Sequence, residues 1–166
     1  MAVQRIPAGY HTVTPYLIIQ GVARAIEFYK QAFEAVEVMR IPGPEGRVMH
    51  AEIQIGDSSL MMSDECPDPK FRGPQSLGGT PVTMMMYVED VDAQFARAVA
   101  AGAITVQPVA NTFYGDRAGT LIDPFGHSWC MASRIENVSA EVINRRMQQM
   151  MSKPANSQVP HADPAV

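Results

Sequence analysis

A histidine and a glutamate lie two residues apart in the segment VMHAEIQI, residues 48–55. Successive side chains of a β-strand point to opposite faces, so a strand here places His50 and Glu52 on the same face. A carboxylate beside an imidazole can fix its tautomer and raise its pKa, as general acid–base catalysis requires. These residues are the candidate catalytic pair. The alternative is a pair at the rim of the sheet, solvated or bound to neighbouring polar groups.

A second candidate is the thiol that ends the segment GTLIDPFGHSWC, residues 119–130. Cys130 could be a metal ligand, a nucleophile or a small apolar residue. Catalytic use requires a thiol pKa lowered by a nearby base or a helix N-terminus, and the sequence identifies neither. We therefore interpret Cys130 as a small polarizable residue that points into a pocket. The two cysteines, Cys66 and Cys130, are too far apart to suggest a disulfide framework or a paired-cysteine zinc motif.

The elements that must position these residues occur twice in the same order. In the first half, β-rich runs and a helical pattern over 22–33 give the order βαβββ, and the second half repeats it from residue 81. Thr14 and Thr83 are 69 residues apart, as are Val22 and Val91. This constant spacing indicates an internal repeat.

The predicted boundaries follow from composition. Module 1 covers about 12–63, a linker rich in Pro, Gly and charge covers 64–80, and module 2 covers about 81–133. A C-terminal helix is predicted over 139–151. The polar, Pro-rich tail 154–166 is predicted to be disordered.

Composition narrows the class of partner. The chain has 166 residues, 46% hydrophobic residues and a net charge of −4, which is ordinary for a soluble globular protein and disfavours nucleic acid and anionic membranes. The N-terminus lacks the apolar region of a signal peptide, and no apolar run approaches the ~18 residues of a membrane span. We expect a cytoplasmic protein.

Several segments together resemble the vicinal-oxygen-chelate superfamily, which includes glyoxalases, bleomycin-resistance proteins and extradiol dioxygenases. They are PYLIIQGVARAIEFYKQAF, YVEDVDAQFARAVAAGA and GDRAGTLIDPFGHSW. The last of these, with IGDSSLMMSD, is most similar to the PhnB-like glyoxalase branch. The resemblance covers about 12–133. It implies an α+β fold in which two βαβββ modules form a curved mixed sheet with a cup, here followed by the C-terminal helix.

The resemblance also implies a divalent metal in the cup, bound by His or Glu from the first and last strand of each module and acting as a Lewis acid. On this sequence the ligand positions carry Thr14, Thr83 and Cys130, and the fourth lies in the strand SSLMMS, which has no His, Asp, Glu or Cys. This set does not supply the usual imidazole and carboxylate ligands. We therefore predict no metal at these positions and no cofactor. A non-standard metal site built from His50, Glu52 and Cys130 is the alternative.

Strand alternation predicts which other side chains share the cup. The predicted ligand-binding residues are Thr14, Tyr16, Leu60, Met62, Thr83, Met85, Tyr87 and Cys130. The loop NTFYGDR adds Phe113, Tyr114 and Arg117 as a mobile lip that could stack on a planar ligand or pair with its anion. The alternative is a hairpin loop whose aromatic residues cover the core edge and whose Asp116 pairs with Arg117.

A mostly apolar pocket with few polar groups is typical of small-molecule sites. The predicted function is therefore a small-molecule-binding protein of the glyoxalase/bleomycin-resistance type that lacks the usual metal ligands, with a small apolar or aromatic ligand. The alternative is a lyase, isomerase or dioxygenase of the same superfamily that uses a non-standard metal or His50–Glu52 acid–base chemistry. A third hypothesis is a partner-binding module that acts through its C-terminal helix. Whether the protein is an enzyme stays open, and we expect a homodimer.

Overall fold

The computed structural model describes residues 3–152, which fold into two modules followed by a helix. The first module contains β1 (Tyr16–Ile19), α1 (Val22–Phe33), β2 (Val36–Pro42), β3 (Val48–Ile55) and β4 (Ser58–Asp64). The linker contains the short helix α2 (Pro74–Leu77). The second module contains β5 (Thr83–Tyr87), α3 (Val91–Ala100), β6 (Ile104–Asn111), β7 (Asp116–Ile122) and β8 (Ser128–Arg134), and α4 (Ala140–Ser152) follows it. The predicted α+β fold with a repeated βαβββ order is confirmed.

The two modules form two four-stranded mixed sheets with matching topology. Their strand orders are β1-β4-β3-β2 and β5-β8-β7-β6, with one parallel pair at the β1 and β5 edges. Tyr16 is paired with Met61 in the first sheet, and Met85 with Cys130 in the second. Both pairs are related by the 69-residue spacing of the sequence repeat, so the repeat is preserved in the strand register.

Helix α1 forms the centre of the hydrophobic core. Its apolar residues recur at the helical period, and Val22, Ile26, Tyr29 and Phe33 are all buried, as their spacing predicts. The helix packs against its own sheet and against α3. The Phe33 ring also lies 4.6 Å from the Trp129 ring of the second module, measured between centroids. One core therefore spans both modules.

Each sheet has one face against the helices and one face open. In β3, Ala51 and Ile53 are completely buried on the helix side, while His50, which precedes Ala51 and points to the opposite face, is only half-buried. In β5, Met85 and Tyr87 on the open face are 46% and 58% exposed. The side chains available to a ligand are therefore those of the open faces and of the gap between the modules.

The ends of the chain differ in detail from the prediction. Strand β1 begins at Tyr16, so Thr14 lies before the strand. The predicted C-terminal helix is present as α4, and the tail 154–166 lies outside the described residues. Within residues 3–152, no helix combines the length and the hydropathy that crossing a bilayer requires.

Candidate functional site

The open face of the first sheet contains a chain of hydrogen bonds centred on His50. Its Nε2 atom lies 3.0 Å from Glu52 Oε1, and its Nδ1 atom lies 3.2 Å from the Tyr16 hydroxyl. The hydroxyl of Tyr10, from the segment before β1, donates a hydrogen bond to Glu52 Oε2. Both ring nitrogens of His50 are therefore held, one by a carboxylate and one by a phenol.

The charge of Glu52 determines the tautomer of His50. Hydrogen bonds from His50 and Tyr10 hold the pKa of the Glu52 carboxyl below its ordinary value, although partial burial acts in the opposite direction. An ionised carboxylate only accepts hydrogen bonds, so His50 must donate through Nε2. In the neutral ring Nδ1 then accepts from Tyr16. In this arrangement His50 can accept a proton at Nδ1, and the ionised Glu52 carboxylate stabilises the imidazolium that forms.

The open face of the second sheet is mostly apolar. Register places Thr83, Met85 and Tyr87 of β5 beside Ser128, Cys130 and Ala132 of β8 on one face. Cys130 is half-buried, and its neighbours on this face, Met85 and Thr120, carry no basic group. This setting favours the interpretation of Cys130 as a polarizable apolar residue.

A cluster formed by Asp116, Tyr87 and Arg134 lies at one end of this face. Asp116 is only 1% exposed, and its carboxylate accepts hydrogen bonds from the Tyr87 hydroxyl at 2.9 Å and from Arg134 Nε at 2.6 Å. The two donors fix the buried carboxylate and, in return, fix the position of the arginine. Arg134 follows Cys130 and Ala132 in the alternation of β8, so it points to the same open face.

An open groove of about 1510 Å³ lies between the two modules. Among the predicted ligand-binding residues it is lined by Thr14, Leu60, Thr83, Met85 and Tyr87. The walls also include Val13, Val82 and Arg134. His50, Glu52 and Cys130 do not line the groove, so the predicted site is divided between this groove and the two open faces.

Two predicted pocket residues, Leu60 and Met62, face the core instead of the open face of the sheet. Met62 is completely buried and is paired with Leu17 and Ala51, whose side chains face the helix. Leu60 is likewise buried and is paired with the core residue Ile53. The prediction that Met62 lines the cup is therefore wrong, whereas Leu60 is nearly buried but still lines the groove between the modules. The β3–β4 hairpin is one residue shorter than the β7–β8 hairpin. A count of four residues from the turn glycine reaches Cys130 from Gly126. The same count from Gly56 reaches Leu60, on the other face of the sheet from Met61.

The predicted contacts of Arg117 are also wrong. Its side chain lies on the helix side of β7 and donates two hydrogen bonds of 2.6 Å to Asp92 of α3. It is therefore neither a residue of the lip nor the partner of Asp116, which binds Arg134 instead. The register of β7 explains this, because Arg117 is paired with Ser133 on the face opposite Asp116.

The aromatic residues of the 112–115 turn are partly packed. The rings of Phe113 and Tyr114 meet edge to face with centroids 5.2 Å apart, and both are half-buried. Arg146 of α4 donates a hydrogen bond to the Phe113 carbonyl. This geometry supports the alternative in which the aromatic residues cover an edge of the core.

The residues at the metal positions do not fit a divalent ion. The 69-residue register makes Met61, not Leu60, the equivalent of Cys130, so the four positions carry Thr14, Met61, Thr83 and Cys130. Two hydroxyls, a thioether and one thiol are a poor ligand set for a hard or borderline divalent ion. Thr83 also donates its hydroxyl hydrogen to Ser128 Oγ. Within residues 3–152, His, Cys, Asp and Glu form no group of three or more with metal-binding geometry, including the set His50, Glu52 and Cys130.

Four residues of these faces were missed in the sequence prediction. Met61 could have been found from the 69-residue spacing, and Arg134 from the alternation that starts at Cys130. Asp116 was seen only as a local partner of Arg117. Tyr10 lies outside every element, and no local pattern indicates that it reaches Glu52.

Comparison with known proteins agrees with the fold. Residues 10–131 match the model of the Glyoxalase/Bleomycin resistance protein/Dioxygenase superfamily. An uncharacterized protein of Mycobacterium bovis is 41% identical over 150 residues, which cover 89% of this chain and 96% of that protein.

Solved structures show the same architecture. The structure of an Arabidopsis thaliana gene product is 31% identical with a TM-score of 0.62, covering 74% of this chain and 98% of that one. The PhnB protein of Bacillus cereus is 19% identical with a TM-score of 0.59, covering 74% and 99%, and at that identity it shows the fold alone. This chain belongs to the Glyoxalase/Bleomycin resistance protein/Dioxygenase superfamily.

Proposed function

We propose that this protein binds a small, largely apolar or aromatic molecule in the groove between its modules. The observation that carries the proposal is the groove wall formed by Met85 and Tyr87, both about half exposed, beside the apolar residues Val13 and Val82. Such side chains leave apolar surface in water that a ligand would cover. Methionine is flexible and polarizable, so this wall can adapt to ligands of different shape.

Identifying the ligand is the first test. Native mass spectrometry of protein purified without added metal would detect a co-purified molecule, and metal analysis of the same sample would test the prediction that no divalent ion is bound. A purified protein that carries stoichiometric zinc, nickel, iron or manganese between the strands would contradict the metal-free part of the proposal.

Truncation of Met85 tests where the ligand binds. Burial of apolar surface contributes about 25 cal/mol per Å², so Met85→Ala should weaken binding by about 1 kcal/mol, or roughly fivefold. The measurement is calorimetry with the molecule identified above. Met49→Ala is the matched control, because Met49 is also exposed but does not line the groove. Equal effects of the two substitutions would contradict the assignment of the groove.

The second candidate function is acid–base catalysis by His50. The specific observation in its favour is that Glu52 and Tyr16 hold both ring nitrogens of His50. A substrate proton would pass to Nδ1, directly or through the Tyr16 hydroxyl, while Glu52 stabilises the resulting imidazolium. This role needs a substrate on the open face of the first sheet, outside the groove.

His50→Gln separates the two candidates. General acid–base groups act mainly on the transition state, so in an enzyme this substitution should abolish turnover and leave affinity nearly unchanged. In a binding protein it should cost little, because His50 does not line the groove. Calorimetry beside a turnover assay with the identified molecule makes the distinction. We expect the pattern of a binding protein.

A further inference from the structure

We propose that Arg134 receives a carboxylate group of the ligand, with Asp116 as the positioning residue. The inference rests on the proposed binding of a small molecule in the groove. It adds the chemical class of that molecule, an apolar or aromatic body with one carboxylate.

The geometry begins with a buried carboxylate. Asp116 is 1% exposed and both of its oxygens are occupied, Oδ2 by the Tyr87 hydroxyl and Oδ1 by Arg134 Nε. Burying an unpaired charge is costly, so Asp116 requires the arginine beside it. The guanidinium is thus anchored by its Nε–H, and its orientation does not depend on a ligand.

The rest of the guanidinium is free to bind. The Arg134 side chain is 55% exposed, and its Nη1 and Nη2 groups donate no hydrogen bond to any residue between 3 and 152. Two terminal N–H groups held parallel match the two oxygens of a carboxylate. Because the Arg134 guanidinium is already held by Asp116, it loses less side-chain freedom on binding than a mobile arginine would.

Arg134 lines the groove, and its neighbours supply the apolar contact. Met85, Tyr87 and Val82 line the same groove. A ligand whose carboxylate lies on Arg134 could extend its apolar body along Tyr87 and Met85. This places the charged and apolar groups of the ligand against matching groups of the protein.

Arg97 and the N-terminus of α3, two other groups of the groove that could attract an anion, already have partners. Arg97 donates to Glu34 and to Gln94 through its terminal nitrogens. At the N-terminus of α3, the Val91 amide donates to Ser133 Oγ, and the Ala93 amide donates to the Asp90 carboxylate. An anion in the groove is therefore directed to Arg134.

A single guanidinium whose charge is already shared with Asp116 favours a carboxylate over a phosphate. A phosphate carries up to two charges and usually takes donors from several residues. The acidic side chains of Asp57, Glu89 and Asp90 also line the groove and would oppose a second negative charge. The site therefore fits a monoanion.

The experiment compares two probes that differ only in charge, 2-naphthoate and its neutral amide 2-naphthamide. Dissociation constants are measured by NMR titration at neutral pH for the wild type, Arg134→Gln and Arg134→Lys. Charge-assisted bidentate hydrogen bonds predict that the wild type binds naphthoate at least about tenfold more tightly than naphthamide. Arg134→Gln should reduce this ratio to about one and change naphthamide binding by less than about twofold. Arg134→Lys keeps a positive charge beside Asp116 without the fork, so its ratio should be intermediate.

The matched control is Arg117→Gln, which removes the same charge from the opposite face of the same sheet. It should leave the ratio unchanged. Thermal unfolding of each variant verifies the fold, and the wild-type comparison of the two probes stands even if Arg134→Gln is unstable.

Other outcomes would overturn the inference in different ways. Equal wild-type affinity for both probes, or a preference for naphthoate that survives Arg134→Gln, would contradict the role of Arg134 and leave small-molecule binding intact. Failure of the wild type to bind either probe would contradict the inference. Together with the absence of a co-purified molecule, it would also contradict the proposed function.

Discussion

The pKa of the Glu52 carboxyl is lowered by two residues from different parts of the chain. His50 is two residues away on the same strand, whereas Tyr10 lies 42 residues earlier in the sequence. Both donate to the Glu52 carboxyl and hold its pKa below the ordinary value. In an unfolded chain the pKa of a glutamate is about 4.3. Because the folded value is lower, ionised Glu52 stabilises the fold above pH 4.3, and this stabilisation is lost as pH falls through the folded pKa.

The first prediction concerns the Tyr10 hydroxyl. Tyr10→Phe removes one of the two hydrogen bonds, so the pKa of Glu52 should rise towards its ordinary value. The difference in the free energy of unfolding between wild type and variant should be largest near neutral pH and should shrink in acid. NMR titration of the Glu52 carboxyl carbon and denaturation at two pH values measure these effects. Tyr114→Phe is the control, since its hydroxyl makes no hydrogen bond within residues 3–152. An unchanged Glu52 pKa in Tyr10→Phe would contradict this account.

At the scale of elements, the repeat also fixes the beginning of each long helix. The amide of Val22 in α1 donates to Asp64 Oδ1, and the amide of Val91 in α3 donates to Ser133 Oγ. Asp64 is the last residue of β4, Ser133 is the last but one of the equivalent strand β8, and the two are separated by the same 69 residues. A strand terminus therefore caps the helix in both modules, because a helix leaves its first amides without partners.

Asp64 makes more of these contacts than Ser133 does. Its Oδ1 also accepts from the Gly21 amide at 2.7 Å, and its Oδ2 accepts from the Val48 amide at 2.7 Å. The carboxylate therefore joins the start of α1 to the start of β3. Helix α3 instead has its own N-cap, Asp90, whose side chain accepts from the Ala93 amide.

Removing the Asp64 carboxylate should destabilise the first module. Asp64→Ala leaves three amides without this acceptor, and we expect a loss of roughly 2–3 kcal/mol in the free energy of unfolding. Asp64→Asn keeps one acceptor oxygen and should lose less. Urea denaturation provides the measurement. Asp57→Ala in the exposed turn is the control and should change stability by less than about 0.5 kcal/mol. If both alanine variants are equally stable, Asp64 is not a cap.

At the scale of the whole molecule, Asp123 connects the two modules. It lies in the DPFG turn before β8 and is 2% exposed. Its carboxylate accepts hydrogen bonds from the Tyr29 hydroxyl of the first module and from Trp129 Nε1 of the second. Burial alone would raise its pKa, but the His127 ring, Trp129 and Tyr29 outweigh burial and keep the pKa of Asp123 below its ordinary value. The ionised form is therefore the one that joins the modules.

Loss of this carboxylate should weaken the whole fold. Asp123→Ala leaves several buried donors unpaired and should lower the free energy of unfolding by about 3 kcal/mol or more. Tyr29→Phe removes only the hydrogen bond between modules and should cost about 1 kcal/mol. Calorimetric and chemical unfolding should show one transition in the wild type. A cost below 1 kcal/mol for Asp123→Ala would show that the apolar core alone holds the modules together.

Assembly is the other property of the whole molecule that can be tested. The edge strands β2 and β6 expose apolar side chains, and Val36, Val38, Ile104 and Val106 are each more than half exposed. We expect a two-fold homodimer that buries part of this surface together with α4, because single chains rarely leave large apolar patches in water. Analytical ultracentrifugation at micromolar concentration tests this. Val38→Glu should weaken the dimer, and a monomeric wild type would refute the expectation.

The elements, their repeat and the face shared by His50 and Glu52 could be predicted from the sequence. Helical spacing defined the buried stripe of α1, and the alternation of β3 separated His50 and Glu52 from Ala51 and Ile53. These signals are local: they follow from the 3.6-residue and 2-residue periods of the backbone. The constant 69-residue spacing added the topology, because two copies of one pattern fold in the same way.

Which side chains come into contact depends on how the sheets and helices pack. Asp116 binds Arg134 rather than Arg117, and Tyr10 reaches Glu52 across the open face. Met62 faces the core, because its register pairs it with Ala51 on the helix side of the sheet. A strand register that shifts by one residue exchanges the two faces of a sheet, and partners distant in sequence meet only after the sheets and helices have packed. Local periods carry no information about either event, so the contacts of this site had to come from the folded molecule.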